Sequence, residues 1–448
     1  MLTNAASAAD STLAALRRAE FTRLDEARVA YLDYAGAALY GESQVRSHAE
    51  LLARSVFGNP HSEHGASRAS TRAIETARRR VLAFFDAGHD YEVVFTANAT
   101  AAIKLVAESY PFGSGGDLAL SADNHNSVNG IREYARRRAA NVTYLPLRDD
   151  LRLHHPEARL SEAGVPGLFA FPAQSNFSGV QHPLSLVRRA QELGWHVLLD
   201  AAAYVPAHAL SLRSCPADFV VVSFYKMFGY PMGVGALMAR RDALAILRRP
   251  WFAGGTVQYA SVQLGQHRLR PDRDGFEDGT ANVLDIAALG AGFDLLHRAG
   301  AGGLTAHVHE LTRDLVARLS ALRHSNEQAV VRIYGPQDGD RGGTVAFNVL
   351  DRFGVPIPYQ LVETRADGAG VHIRGGCFCN PGAAEAAFRL DASRMATCLE
   401  RLGGDFSIPR LQRCLGPATA AGAVRASVGL ATTCDDSTRL VDVVASFV

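Results

Sequence analysis

From Tyr31 onward the chain alternates short, almost wholly apolar runs with longer helical patterns. The runs are "YEVVFTA", "DLALSAD", "NVTYLPL", "GLFAFPA", "HVLLDAA" and "DFVVVSF", each bounded by turn residues. A strand with one wet face alternates apolar and polar positions, whereas a nearly continuous apolar run fits a strand covered on both faces. Strands of this kind separated by helices predict an α/β domain built on a mostly parallel, doubly covered sheet. Ligands of such sheets collect beyond the carboxyl ends of the strands. The polar residues of interest fall there: Thr96 to Thr100, Asp123 to Ser127, Gln174 to Asn176, Asp200, and Ser223 to Lys226.

Residues 1–30 read as a helical lead-in packing on a smaller C-terminal domain, 31–300 as the large domain, and 301–448 as that smaller α/β domain. A long helical stretch, 284–324, leads into "GGTVAFNV" and "VHIRGGCFCNPG". "FGSGGD" precedes a strand instead of following one, so it reads as a turn and not a phosphate loop.

Composition narrows the class. Hydrophobic residues make up 48% and charged residues 20%, the balance of a soluble globular enzyme. A net charge of +1 provides no general attraction to nucleic acid or to a membrane surface. No apolar run reaches the roughly 18 residues of a membrane span, and no signal segment is expected at the start. Six cysteines are too few for a disulfide scaffold of this length, so free thiols in a reducing cytoplasm are expected. The basic run Arg78 to Arg80 is expected on a solvated helix face.

Lysine occurs at only two of the 46 Lys+Arg positions, Lys104 and Lys226. Arginine stays protonated, whereas a desolvated lysine loses its proton and attacks carbonyls. Lys226 lies among Phe224, Tyr225, Met227 and Phe228, a setting that favours that loss. Lys104, within "ATAAIKLVAES", reads as a surface residue. Asp200 ends an apolar strand, where a carboxylate needs a positive partner. Lysine and carboxylate on successive strand ends match pyridoxal phosphate: one holds the aldehyde, the other keeps the ring nitrogen protonated. Thr100 at a strand-to-helix junction suits a phosphate as well as a plain helix cap. Ser223 adds a hydroxyl, His125 is placed to stack on the ring or to serve the core, and Asn176 to meet the ring's phenolic oxygen or to make a turn.

Nine stretches in order, from "YLDYAGAALY" through "NPHSEHGASR", "DNHNSVNGIREYA", "LLDAAAYVP", "VSFYKMFGYPMGVGAL", "GGTV", "FEDGTAN" and "RGGCFCNPGA" to "GAVRASVGL", resemble the fold-type I enzymes of the class V aminotransferase group. Within it the chain is most similar to the cysteine-desulfurase branch, and there to the N-terminal sulfurase domain of molybdenum-cofactor sulfurases. The resemblance implies pyridoxal 5′-phosphate as cofactor, a mostly parallel sheet of the seven-stranded type, and a homodimer. It makes Lys226 the Schiff-base lysine, Asp200 the pyridinium partner, His125 the stacking ring, and Thr100 and Ser223 phosphate ligands. Thr280 is implied to reach the phosphate of a neighbouring subunit, near the "GGTV" loop. Arg425 is implied to anchor the substrate carboxylate, with Arg374 and Asn176 also in the substrate site.

Three positions depart from the pattern: Ala203 stands where many desulfurases carry glutamine, Tyr225 where others carry histidine, and Ala384 replaces a cysteine. The sequence also ends at Val448, before the sulfur-receiving domain of full-length molybdenum-cofactor sulfurases. The expected reaction removes sulfur from L-cysteine, or a related small amino acid, as a protein persulfide and releases alanine, with a protein or small molecule as acceptor. The alternatives are an epimerase, aminotransferase or β-lyase of the same fold, or a silent sulfur carrier. C-x-C without a second Cys/His cluster argues against a metal. An extended loop would point Cys377 and Cys379 the same way, so geometry leaves the nucleophile open. The family pattern selects Cys379, five residues after Arg374, which is expected to favour its thiolate.

Overall fold

The computed structural model describes residues 12–113, 115–337, 339 and 341–448. The first 11 residues of the expected lead-in, and Ser114 of the "FGSGGD" turn, lie outside them. Seven strands form the main sheet, in the spatial order Tyr91–Thr96, Gly235–Arg240, Phe219–Ser223, His196–Asp200, Leu168–Pro172, Leu118–Ser121, Val142–Leu145. All six runs anticipated as strands are present. The seventh, Gly235–Arg240, was not anticipated, and it runs antiparallel to both neighbours. The other six therefore share one direction and one carboxyl edge.

Alternate residues of these strands feed two separate cores. Phe169, Phe171, Val197, Leu199, Val220 and Val222 pack with Ile74, Val81 and Phe293 of helices Gly65–Phe84 and Val283–Ala299. Leu118, Leu120, Leu168, Leu198 and Val221 face the other way, onto Ile103, Val106 and Ile131. Strand residues such as Phe169 and Leu198 are fully buried, and each large apolar side chain so buried contributes about 1.5–3 kcal/mol.

The expected helix over 284–324 is two, Val283–Ala299 and Ala301–Ala321, because Gly300 takes a left-handed φ of 74° that ends the first. Arg78 is also a correction. It is buried, not solvated, and paired with Glu277 at 2.9 Å and Glu75 at 3.2 Å. Its helix face is covered by the segment around Glu277.

A second, four-stranded antiparallel sheet takes the order Val331–Tyr334, Thr344–Val349, Ala423–Ser427, Arg374–Gly376. The chain near its start joins this sheet region: Ala30–Tyr31 pairs with Val371–His372, and Asp33 bridges Ser427. A helix over residues 12–20 packs nearby, with Arg17 bound to Asp436 at 2.7 Å. The expectation of free thiols needs amending, since Cys398 and Cys414 form a disulfide that joins helices Ala392–Leu402 and Ile408–Leu415. Cys215, Cys377 and Cys379 carry free thiols. No helix among the described residues is long and apolar enough to cross a membrane.

Helix Val283–Ala299 meets the Lys226 segment at Gly292. A Cβ there would fall inside the contact distance of the buried Phe228 ring. Gly292→Ala gains about 1 kcal/mol of helix propensity but should lose about 1–3 kcal/mol to overpacking. A lower urea midpoint is the expected result.

Candidate active site

The carboxyl edge of the main sheet gathers the expected cofactor residues into one cleft. Thr100, His125, Asn176, Asp200, Ser223 and Lys226 all line it, with Ala202, Ala203 and Tyr225. Its volume is about 160 Å³. Thr280 does not join them within one chain: it is exposed and accepts a hydrogen bond from Asn59 Nδ2 at 3.3 Å. The "GGTV" loop lies beside it, tied by Gly279 N–H donating to Gly254 C=O.

Local structure explains each placement. Ser223 ends its strand, and Lys226 sits in the single helical turn Phe224–Phe228 that follows. Burial lowers the Lys226 amine below its ordinary value; Asp200 opposes this and Arg425 reinforces it. Asp200 ends its buried strand, and its Oδ1 accepts the Ala202 N–H at 3.0 Å. The N-terminus of helix Ala99–Ser109 opens onto the cleft through Asn98, Ala99 and Thr100. Asn98 is its cap, so Thr100 is free of that duty and its Oγ1 lies 2.7 Å from Ser127 Oγ. Ser223 Oγ accepts the Ala99 N–H at 2.8 Å, leaving its own hydrogen for a ligand.

His125 caps the short helix Asn126–Asn129, its Nδ1 accepting the Ser127 N–H. That bond leaves the proton of the neutral ring on Nε2. Burial first, then Lys226, lower the His125 pKa.

The arginines are arranged differently from expectation. Arg374 and Arg425 are direct cross-strand neighbours. Between them lies Asp33, a residue not singled out in the sequence. Arg374 grips its carboxylate through Nε at 3.0 and 3.2 Å and Nη2 at 2.7 Å, and Arg425 Nη2 donates to Oδ1 at 3.0 Å. Arg374 is thus committed to Asp33, not to Cys379. Arg425 is buried, not a surface pair; its Nη1 donates to Asn176 C=O at 2.9 Å and its plane lies 4.7 Å from the Phe378 ring.

The cysteine loop is a tight turn, not an extended strand. Asn380 N–H closes onto Cys377 C=O, and both central residues, Phe378 and Cys379, have positive φ of 54° and 56°. The two thiols therefore part. Cys377 turns inward to Ala421 C=O, and burial pushes it up to about 11. Cys379 is exposed, in the same turn whose Phe378 ring lies against Arg425. Three side chains clamp the turn: Asn176 Nδ2 donates to Phe378 C=O at 2.6 Å, and Asn380 Nδ2 donates to Asn176 Oδ1 at 3.0 Å and to buried Asp123 at 2.7 Å. Asn126 N–H adds a bond to Cys379 C=O.

Fold and cleft together fit a pyridoxal-phosphate enzyme: a lysine of lowered pKa, a buried carboxylate and a helix N-terminus opening onto the same cleft suit that cofactor. The Aminotransferase class-V family model matches residues 30–440, and the chain belongs to that family. It is 36% identical over 476 aligned positions to the molybdenum cofactor sulfurase of Arabidopsis thaliana, covering 96% of this chain and 57% of that protein. To the Homo sapiens molybdenum cofactor sulfurase it is 40% identical over 405 positions, covering 84% and 45%. The chain spans about half the length of these curated relatives. The apo cysteine desulfurase of Thermococcus onnurineus NA1 has the same fold, with a TM-score of 0.78 over 97% of both chains at 23% identity. A cysteine desulfurase from Escherichia coli matches at 0.75 and 21%, over 97% and 98%.

The lowered His125 pKa has a sign. The unfolded ring takes up a proton near its ordinary 6.5, before the folded ring does, so His125 costs stability as pH falls below 6.5. Urea midpoints of the cofactor-free protein should drop over that range. His125→Gln should show a shallower drop, even though it loses a helix cap; an equal slope would remove His125 as a cause.

Proposed function

We propose that the protein is a cysteine desulfurase-like enzyme that takes sulfur from L-cysteine, or a related small amino acid, as a persulfide on Cys379 and releases alanine. The observation that carries this reading is the Cys379 turn, which Asn176 of the cleft and Arg425 meet at Phe378 and which presents an exposed thiol, while the neighbouring Cys377 turns inward. The sulfurase and desulfurase relatives support it.

Lys226 holds the cofactor's aldehyde, Asp200 pairs with its ring nitrogen, and His125 covers the ring. Thr100, Ser223 and the first N–H groups of helix Ala99–Ser109 take the phosphate. When bound, the cofactor draws electron density away from the substrate's reacting carbons. Arg425 binds the substrate carboxylate beside Asn176, which fixes the amino acid so that its sulfur faces the Cys379 turn. The Cys379 thiolate then attacks that sulfur. A sulfur–sulfur bond forms and the carbon–sulfur bond breaks, its electron pair going to the β-carbon, which takes a proton to give alanine. Lys226, whose amine is lowered by burial, would move protons in the cleft when it is not holding the cofactor.

We assign Thr280 and the Gly254–Val257 loop to the cofactor phosphate of a second copy, so that a homodimer completes both sites. The persulfide passes to an acceptor protein or small molecule, and a cytoplasmic location would keep the exposed Cys379 thiol reduced.

Lys226→Ala should lose the visible absorbance of the bound cofactor together with turnover, whereas Lys104→Arg should keep both. Cys379→Ser should retain cofactor and cysteine binding and form no persulfide, while Cys377→Ser keeps most turnover. Mass spectrometry that finds the added sulfur only on Cys377 would reverse the assignment.

Arg425→Lys keeps the charge and loses the planar fork, so KM for cysteine should rise about tenfold or more with the cofactor still bound. An unchanged KM takes Arg425 out of the substrate site.

A further inference from the structure

We propose that Asp33 sets the charge of the amino-acid carboxylate pocket and thereby selects substrates with one anionic group at that end. The inference rests on the assignment of Arg425 to the substrate carboxylate. Two guanidinium groups and one carboxylate make direct contact here, so the cluster carries one positive charge, the complement of a single carboxylate. Arg374 spends its Nε and Nη2 on Asp33, which is the edge of the guanidinium that a carboxylate grips bidentately. Arg425 gives Asp33 only one N–H and Asn176 another, and three of its five donors remain. Its Nε is buried and unpaired. Arg374 likewise keeps three donors at its half-exposed Nη end, so the two arginines differ at the side edge: Asp33 occupies it on Arg374, whereas the buried Nε of Arg425 is open.

The backbone is shaped around this carboxylate. A Cβ at Gly36 would lie 2.5 and 2.7 Å from the Asp33 oxygens and 2.8 Å from Arg374 Nη2, so the turn after Asp33 closes on the ion cluster without slack. Asp33 is also fixed by the strand bridge to Ser427, and Ala35 N–H donates to Ser427 Oγ at 2.8 Å. The nearby acid Glu363 is committed to the Gly375 N–H. A second acidic group on the substrate that reached Arg374 would find its side edge taken and would meet the negative charge of Asp33. Rejection by a like charge is specificity by repulsion.

The test is calorimetric titration of the cofactor-loaded protein with L-alanine, which has one carboxylate, and L-aspartate, which has two. The parent should prefer alanine. Asp33→Asn leaves the cluster with two positive charges and should move the affinity ratio toward aspartate by about tenfold, the order expected of one unit charge at close range in a partly hydrated site. The double variant Asp33→Asn/Arg374→Gln restores a single positive charge and should return the ratio toward that of the parent. An unmoved ratio in Asp33→Asn overturns the proposal, as does an equal shift in the double variant, which would signal lost contacts instead of charge. If Asp33→Asn does not fold, Arg374→Gln alone decides: it should weaken aspartate more than alanine, and equal weakening is fatal. A parent that turns over cysteine while the ratio stays fixed sinks this inference only. A parent that binds neither amino acid sinks the functional reading and this inference with it.

Discussion

The geometry of the site depends on one side-chain amide, that of Asn380. Its nitrogen donates both to Asp123, at the carboxyl edge of the main sheet, and to Asn176, which in turn holds Phe378 and Arg425. Its oxygen accepts the Ala383 N–H and so starts helix Pro381–Phe388. Asp123 is fully buried, a placement tolerable because Ser175, His182 and Asn380 all bond to it. The turn held by this junction places two non-glycine residues in the left-handed region, at a cost of about 1 kcal/mol or more each. The bonds from Asn176, Asn380 and Asn126 offset that cost and hold the turn that exposes the thiol.

Much of the fold was legible because its signals are local. Six strands announced themselves as apolar runs, and Lys226 with Asp200 stood at strand ends that any parallel sheet must bring together. Gly235–Arg240 escaped notice because it starts on a glycine directly after the glycine-broken segment that carries Lys226, and so read as its continuation. Arg78 was misjudged for a related reason. A run of three arginines looks solvated until a segment some 200 residues away supplies Glu277.

Asp33 illustrates the limit of a single sequence more sharply. It lay in a quoted motif, yet its partners are 341 and 392 residues distant, and no spacing rule connects them. The two cysteines failed differently. The rule that alternate residues share a face holds only for extended backbone, and two left-handed residues in succession broke it. In each case the residue types were visible, and what was hidden was a long-range contact or a backbone angle that only the folded chain supplies.

The reversed strand Gly235–Arg240 also has a consequence for the order of assembly. It alone attaches Tyr91–Thr96 to the rest of the main sheet, so that edge strand must wait for about 140 further residues to be made. Contacts of such long range close late, because their loop entropy is lost before any pairing compensates. The helix N-terminus at Ala99 and the Ser223 hydroxyl that accepts its N–H meet only when this strand is in place. A nascent chain that ends before residue 240 thus has the lysine-bearing turn without its finished contact to that helix N-terminus. A ligand bound across the two would favour the completed domain over its precursors by mass action.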